Sequence, residues 1–169
     1  MALVTKSLGS PLTFVWPGDP AIDQDAWGPE AAAEYMTTLI RADRSLPIPP
    51  EKPGEKATRI TMAPLNYDAY LHATHLQKSS AYPDGLDDPE VQRHVLRHSL
   101  VDLEGAYYED ADGNSRPIRI EMDHGPFGRR ISDGCWSDYI GPFLDAGVRQ
   151  ALAWWSVQFS VERLLRSRK

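Results

Sequence analysis

Residues 88 to 122 constrain the fold most, because a helical pattern is followed there by a pattern typical of a β-hairpin. Asp88 is a suitable N-cap and Pro89 fits the first turn of a helix. Apolar residues then recur at helical spacing, and these are Val91, Val95, Leu96 and Leu100. Further on, Tyr107 to Glu109 and Pro117 to Glu121 are typical of short strands, with Asp-Gly and Gly-Asn pairs between them that allow a tight turn. The segment predicts a helix that can dock, followed by a hairpin.

Strand and helix patterns also alternate elsewhere in the chain. Residues 12–16 form a candidate strand, and residues 58–62 alternate in the manner of a half-buried strand. Pro29 is placed at the start of a helix that should end near Arg44, and Asn66 is placed at the N-cap of the next helix. Together these patterns predict the α+β class, with helices predominating beside a small β-hairpin or short antiparallel sheet.

The length of the chain and its prolines suggest how it is organised. With 169 residues, the chain is predicted to form a single domain, residues 1–169. Residues 1–28 are interpreted as an N-terminal strand and loop arm. Four prolines within residues 46–56 forbid a helix, so this stretch is predicted to be an extended linker, or an arm that a partner could hold. Residues 57–169 then form the main body.

The C-terminal third is predicted to begin with a loop and to continue as helix. Residues 123–130 contain two glycines and a proline, and they are therefore expected to form a loop before Ser132 or Asp133 caps the next segment. Gly141-Pro142 and Gly147 should divide the helical region into shorter pieces.

The last helical piece carries more apolar residues than one narrow core contact uses. Val148, Leu152, Trp155 and Phe159 form one stripe, whereas Trp154, Val161, Leu164 and Leu165 lie partly off it. Adjacent residues point about 100° apart around a helix. We therefore expect that Trp154 and Trp155 cannot both face the core and that one of them is available to a partner.

Composition limits the classes of partner and the compartment. The net charge of −6 argues against a general affinity for nucleic acids. No stretch approaches the ~18 apolar residues of a membrane span. A single cysteine, Cys135, excludes an intrachain disulfide and gives no support to export. The expected location is the cytoplasm, with no nucleic-acid or membrane partner.

Two pairs of histidines are the strongest argument for a metal site or an enzyme. His72 and His75 are three residues apart, and His94 and His98 are four apart, so each pair can present both rings on one side of a helix. No Cys-x-x-Cys or His-Glu-x-x-His motif surrounds them. We therefore interpret them as surface or boundary residues and predict no catalytic residue, cofactor or metal.

Two segments carry a family resemblance. Thr58 to Leu65 is a strand that leads to a helix, and His98 to Gly105 precedes an acidic Asp-Gly hairpin and a terminal helical region. Over roughly residues 55 to 165 this order resembles the small tail assembly chaperones of long-tailed bacteriophages. Ser99 and Leu103 stand where that family often has glycine and tryptophan.

The resemblance implies a non-enzymatic protein of the host cytoplasm that binds the helical tape-measure protein and helps tail-tube subunits polymerise around it. The candidate partner-binding residues are Val91, Val95, Leu96, Leu100, Trp154, Trp155 and Phe159. The alternative is a minor structural protein of the virion, a tail or head-to-tail joining component that clasps neighbouring subunits. A homo-oligomer stays open, and a histidine-ligated metalloenzyme is the alternative from another class.

Overall fold

The computed structural model describes residues 11–41 and 46–167. The strands are β1 (Leu12–Val15), β2 (Arg59–Met62), β3 (Leu100–Glu104), β4 (Tyr107–Glu109), β5 (Ser115–Pro117), β6 (Met122–Gly125) and β7 (Gly128–Ile131). The α-helices are α1 (Gln24–Trp27), α2 (Pro29–Arg41), α3 (Tyr67–Ser79), α4 (Pro89–Ser99), α5 (Asp133–Cys135), α6 (Gly141–Phe143) and α7 (Ala146–Ser167). A 3₁₀ turn at Gly85–Asp87 precedes α4, and a π-helical turn at Trp136–Ile140 follows α5. The predicted α+β class is confirmed.

The central sheet is antiparallel, in the order β1-β2-β3. Phe14 pairs with Ile60, which in turn pairs with Leu103, and all three are buried. On the other face of the sheet, the hydroxyls of Thr13 and Thr61 are 2.9 Å apart. The alternation of apolar and polar residues fixes the register, because a slip by one residue would turn the apolar side chains away from the core.

Helix α7 packs against the central sheet through Trp155 and lies beside helix α4. Helix α4 packs against α3, α7 and β7, and α2 packs against α7. The ring of Trp155 is stacked on Phe159 at a centroid distance of 4.8 Å and lies 4.9 Å from the ring of Phe14. At the start of α3, the backbone N–H of Leu65 donates to the hydroxyl of Ser160 at 2.9 Å. These contacts fix α7 between the sheet and the other helices.

Three predicted helix caps are present. The Asn66 side chain accepts from the backbone N–H of Ala69 at 2.9 Å, and Asp88 accepts from Glu90 at 2.9 Å. Of the two candidates at the third position, Ser132 is the cap, since its hydroxyl accepts from the N–H of Cys135. Each cap satisfies a backbone N–H that has no partner within its helix.

The predicted N-terminal arm is part of the core over its described residues. Strand β1 is hydrogen-bonded along its length to β2, and its buried residues are Leu12, Phe14 and Val15. The sequence of β1 predicted a strand but could not show which strand it would pair with. The first ten residues of the predicted arm, and the predicted end of α2 near Arg44, lie outside the described residues.

Residues 46–56 have irregular backbone, as four prolines predict, but they do not form a free linker. The N–H of Asp23 donates to the carbonyl of Pro50 at 2.9 Å, and the N–H of Lys52 donates to that of Ala21 at 2.8 Å. The prolines remove donors from this segment, yet its remaining groups pair with the loop after β1. The segment is therefore fixed to the domain.

The predicted hairpin differs in its bounds, and a second hairpin was not predicted. The strand expected at 117–121 lies earlier, at β5, where Arg116 pairs with Tyr108. The turn is set by the Asp110 carboxylate, which accepts from the N–H groups of Asp112 and Asn114. Residues 123–130, expected to be a loop, form most of the β6–β7 hairpin. The glycines and the proline of this segment lie at the turn of the hairpin, and the strands on either side of the turn were not predicted.

The C-terminal helical region breaks between the two predicted positions, Gly141-Pro142 and Gly147. Gly147 does not divide it, because α7 begins at Ala146 and the Asp145 carboxylate accepts from the N–H of Val148 at 2.8 Å as a cap. The break lies at Leu144 and Asp145, directly after α6. The result is one helix of 22 residues, about 33 Å long at 1.5 Å per residue.

Candidate partner-binding surface and histidine cluster

Most of the predicted partner-binding residues are core residues. Each has at most 1% of its surface exposed, and they are Val91, Val95, Leu96, Leu100, Trp155 and Phe159. The apolar stripe of α4 is covered by α3, α7 and β7, so it presents nothing to a partner. Leu100, predicted as part of the helix, is the first residue of β3. The structure therefore removes these six residues from the candidate surface.

Trp154 is the seventh predicted residue, and it is 46% exposed. Its neighbour Trp155 is fully buried. The expectation that the two indoles cannot both face the core is confirmed, and the exposed one is Trp154.

Trp154 belongs to an uncharged face of α7, which we name the α7 seam. Its residues recur at alternating spacings of three and four, and they are Gly147, Ala151, Trp154, Gln158, Val161 and Leu165. At about 100° per residue they lie within about 80° of one another around the helix. Leu165 is 55% exposed, while Ala151, Gln158 and Val161 are half-buried. This spacing is the one by which helices pair in coiled coils.

A second cluster joins three histidines to the β6–β7 hairpin. Phe127, in the turn of the hairpin, is stacked on His72 of α3 with ring centroids 4.1 Å apart. The same phenylalanine meets His94 of α4 edge to face at 5.6 Å and His98 at 6.3 Å. The fourth histidine, His75, is exposed on α3. The helical spacing of the histidines is evident in the sequence, but the hairpin turn that lies against three of them is not.

Hydrogen bonds determine which nitrogen of the half-buried His94 and His98 rings carries a proton. His94 places Nε2 at 2.8 Å from the carbonyl oxygen of Ala69, and His98 places Nδ1 at 2.7 Å from that of His94. A carbonyl oxygen only accepts, so both of these nitrogens must be protonated. In neutral His98 the lone pair is then on Nε2, which is buried and has no hydrogen-bond partner among the described residues.

Burial keeps these imidazoles neutral. Burial is the largest cause that lowers the pKa of His94 from the usual 6.5 to about 4; the bond to Ala69 opposes it, and the nearby His98, His72 and Arg97 act in the same direction as burial. Burial also lowers the pKa of His98, with Arg97 and Arg130 acting in the same direction. A protonated ring would lose hydration and face other cationic groups.

The arginines beside the cluster are ion-paired. Arg97 donates through Nε to the carbonyl of Ile131 at 2.8 Å, and its Nη2 lies 2.7 Å from a carboxylate oxygen of Asp133. Arg130 pairs with Asp123 at 3.0 Å. These bonds hold α4 against β7 and α5, so the cluster is a structural junction between helices and hairpin.

The described ranges contain no group of three or more His, Cys, Asp or Glu side chains that could hold a metal ion. Cys135 is buried, and its thiol donates to the carbonyl of Arg119 at 3.4 Å while accepting from the N–H of Glu121 at 3.4 Å. These two bonds hold residues 119–121, which follow β5, against α5.

In comparisons with known proteins, no family model matches the chain, no curated protein matches its sequence, and no solved structure matches its fold. None of the helices in the described ranges combines the length and apolar character that crossing a membrane requires. The interpretation of the candidate surface therefore depends on the geometry of this chain.

Proposed function

We propose that the chain is a non-enzymatic bacteriophage morphogenesis protein, similar to tail assembly chaperones, that binds the tape-measure protein through the α7 seam. In this role it covers an apolar stripe of the tape-measure helix and keeps it soluble until tail-tube subunits assemble around it. The single observation that carries the proposal is the exposed, uncharged seam on the longest helix of the domain.

The geometry of the seam suits a helical partner. Its alternating spacing lets the side chains of a second helix fit between its own. Trp154 is the largest exposed apolar side chain of the seam, and tryptophan is enriched among residues that dominate interface energies. Removing such a side chain typically costs about 2 kcal/mol of binding free energy, which corresponds to roughly a 30-fold loss of affinity.

The overall charge supports the same role. A net charge of −6 favours solubility for a protein that holds an apolar partner. It also disfavours contact with the DNA that is present during packaging. The acidic surface and the apolar seam therefore serve two separate requirements of a chaperone.

The alternative of a minor virion protein, which clasps neighbouring subunits, would use the same seam. From the sequence, residues 46–56 could be an arm that clasps a neighbouring subunit. In the structure they are hydrogen-bonded to the loop after β1 and do not form a free arm, which weakens this alternative. The metalloenzyme alternative has no described three-residue ligand group to support it.

The proposal requires a tape-measure protein from the same genome, and co-expression with that protein tests it. We expect the tape-measure protein to be soluble and to copurify with the unaltered chain, and Trp154→Ala to reduce recovery by about tenfold or more. Tyr107→Ala is the matched control, since Tyr107 is a 58% exposed aromatic residue on the β4–β5 hairpin. Thermal melts establish that both variants are folded.

Two outcomes would contradict the proposal. One is a tape-measure protein that stays insoluble beside the unaltered chain. The other is equal recovery with Trp154→Ala and with the control, which would remove the seam from the interaction. Abundance of the chain in purified virions, without tape-measure binding, would favour the structural alternative.

A further inference from the structure

We propose that a second copy of this chain covers the α7 seam when no other partner is present, with the two α7 helices antiparallel. This inference rests on the proposed function in one respect, since it concerns the same face and names what a tape-measure helix must displace. The dimer itself follows from three features, namely the sizes of the seam residues, the dipole of α7 and the length of the seam.

The sizes of the seam residues are complementary in the antiparallel arrangement. When two such helices pair, each residue at one kind of seam position faces a residue of the other kind. Centring the pair between Trp154 and Gln158 places Gly147 opposite Leu165 of the second copy. The next layer places Ala151 opposite Val161, and the central layers place Trp154 opposite Gln158. Every layer thus joins a smaller side chain to a larger one.

A parallel pair would lack this complementarity. Each residue would face its own equivalent, so two Trp154 indoles would meet in one layer and two Gly147 residues would leave a gap in another. Crowding and gaps are both unfavourable in packed interfaces, since voids lose contact atoms and overpacking forces side chains off their rotamers. The order of sizes along the seam therefore selects the antiparallel orientation.

The helix dipole favours the same orientation. Helix α7 begins beside Asp145, which is exposed. An antiparallel pair separates the two Asp145 carboxylates and opposes the two helix dipoles, whereas a parallel pair would place like ends together.

The length of the seam indicates a weak dimer. The layers from Gly147 to Leu165 extend over about 27 Å at 1.5 Å per residue. An interface made by a single helix pair of this length is at the small end of protein interfaces, below about 1,200 Å², where complexes are transient. A weak dimer of this kind shields the apolar residues of the seam from water, and it can dissociate when a partner with a longer apolar stripe binds the seam.

Sedimentation of the purified full chain between about 1 and 100 µM tests self-association, a range suited to a small interface. We expect the mass to rise with concentration from 18.9 kDa towards twice that value. Trp154→Ala should weaken the dimer by at least about tenfold, while Tyr107→Ala leaves it unchanged. A monomer at every concentration, or a dimer insensitive to Trp154→Ala, would overturn the inference.

Cysteine crosslinking tests the orientation. Ala151→Cys chains mixed with Val161→Cys chains should form a disulfide-linked dimer on mild oxidation, because these positions share a layer only in the antiparallel pair. Neither variant alone should crosslink, and Cys135 is buried in both. Crosslinking of Ala151→Cys chains with each other would indicate a parallel pair and overturn the inference.

The dimer and the proposed function can be tested separately, because these experiments contain no tape-measure protein. A monomeric chain that still solubilises the tape-measure protein would refute the dimer and leave the proposed function intact.

Discussion

Lowering the pH from 7 to 5 should destabilise the fold through the histidine cluster. Burial lowers the pKa of His94 to about 4, whereas an unfolded histidine titrates near 6.5. Between these two values the unfolded chain binds more protons than the folded chain, so the free energy of unfolding falls as the pH falls. The stabilisation is complete above pH 6.5 and is lost progressively towards pH 4.

The size of the effect follows from the two pKa values. For His94 alone, linkage gives a loss of about 2 kcal/mol between pH 7 and pH 5. His98 contributes in the same direction, because its pKa is also lowered by burial. In a domain of this length, 1 kcal/mol corresponds to roughly 2–4 °C in Tm, so His94 should account for about 4–8 °C.

Urea unfolding at pH 7 and pH 5 measures this difference. The acidic residues also respond to pH, so the informative quantity is the comparison with His94→Gln, whose amide can still donate to the Ala69 carbonyl but cannot be protonated. We expect the pH dependence of His94→Gln to be smaller than that of the unaltered chain by about 2 kcal/mol. His75→Gln is the matched control, since His75 is exposed on the same helix pair. Equal pH dependence in His94→Gln and the unaltered chain would refute the reasoning.

Two local substitutions test the caps and turns. Asn66→Ala should lower the free energy of unfolding by about 1 kcal/mol or more, because Asn66 both caps α3 through Ala69 and donates to the carbonyl of Phe127 at 2.8 Å; an unchanged urea midpoint would contradict this. Gly113→Ala should destabilise by about 1 kcal/mol, because Gly113 has φ +79° in the β4–β5 turn. Gly134→Ala is its control, since Gly134 is helical and has open space around its Cα; if both glycine variants lose equal stability, backbone strain is not the cause.

Local signals in the sequence predicted the helix starts because the interactions that define them span only a few residues. Asn66 and Asp88 each bond to a backbone N–H within the next three positions. The two-residue alternation of residues 58–62 likewise predicted β2 to within one residue, and the candidate strand at 12–16 matches β1 to within one residue. The β6 and β7 strands were missed, because they are short, mostly only partly buried and contain charged residues such as Asp123 and Arg130 that do not alternate with apolar ones.

By itself the sequence determined the class of the fold, its caps and the fact that Trp154 and Trp155 must point in different directions, because these depend on chain geometry over a few residues. Only the tertiary structure decided which tryptophan is buried. That choice depends on which face of α7 meets Phe14 of β1, about 140 residues away in the chain. The histidine cluster has the same origin, since Phe127 reaches His72 only when the β6–β7 hairpin packs against α3 and α4. Such contacts join segments that are distant in the chain, and no local sequence pattern predicts them.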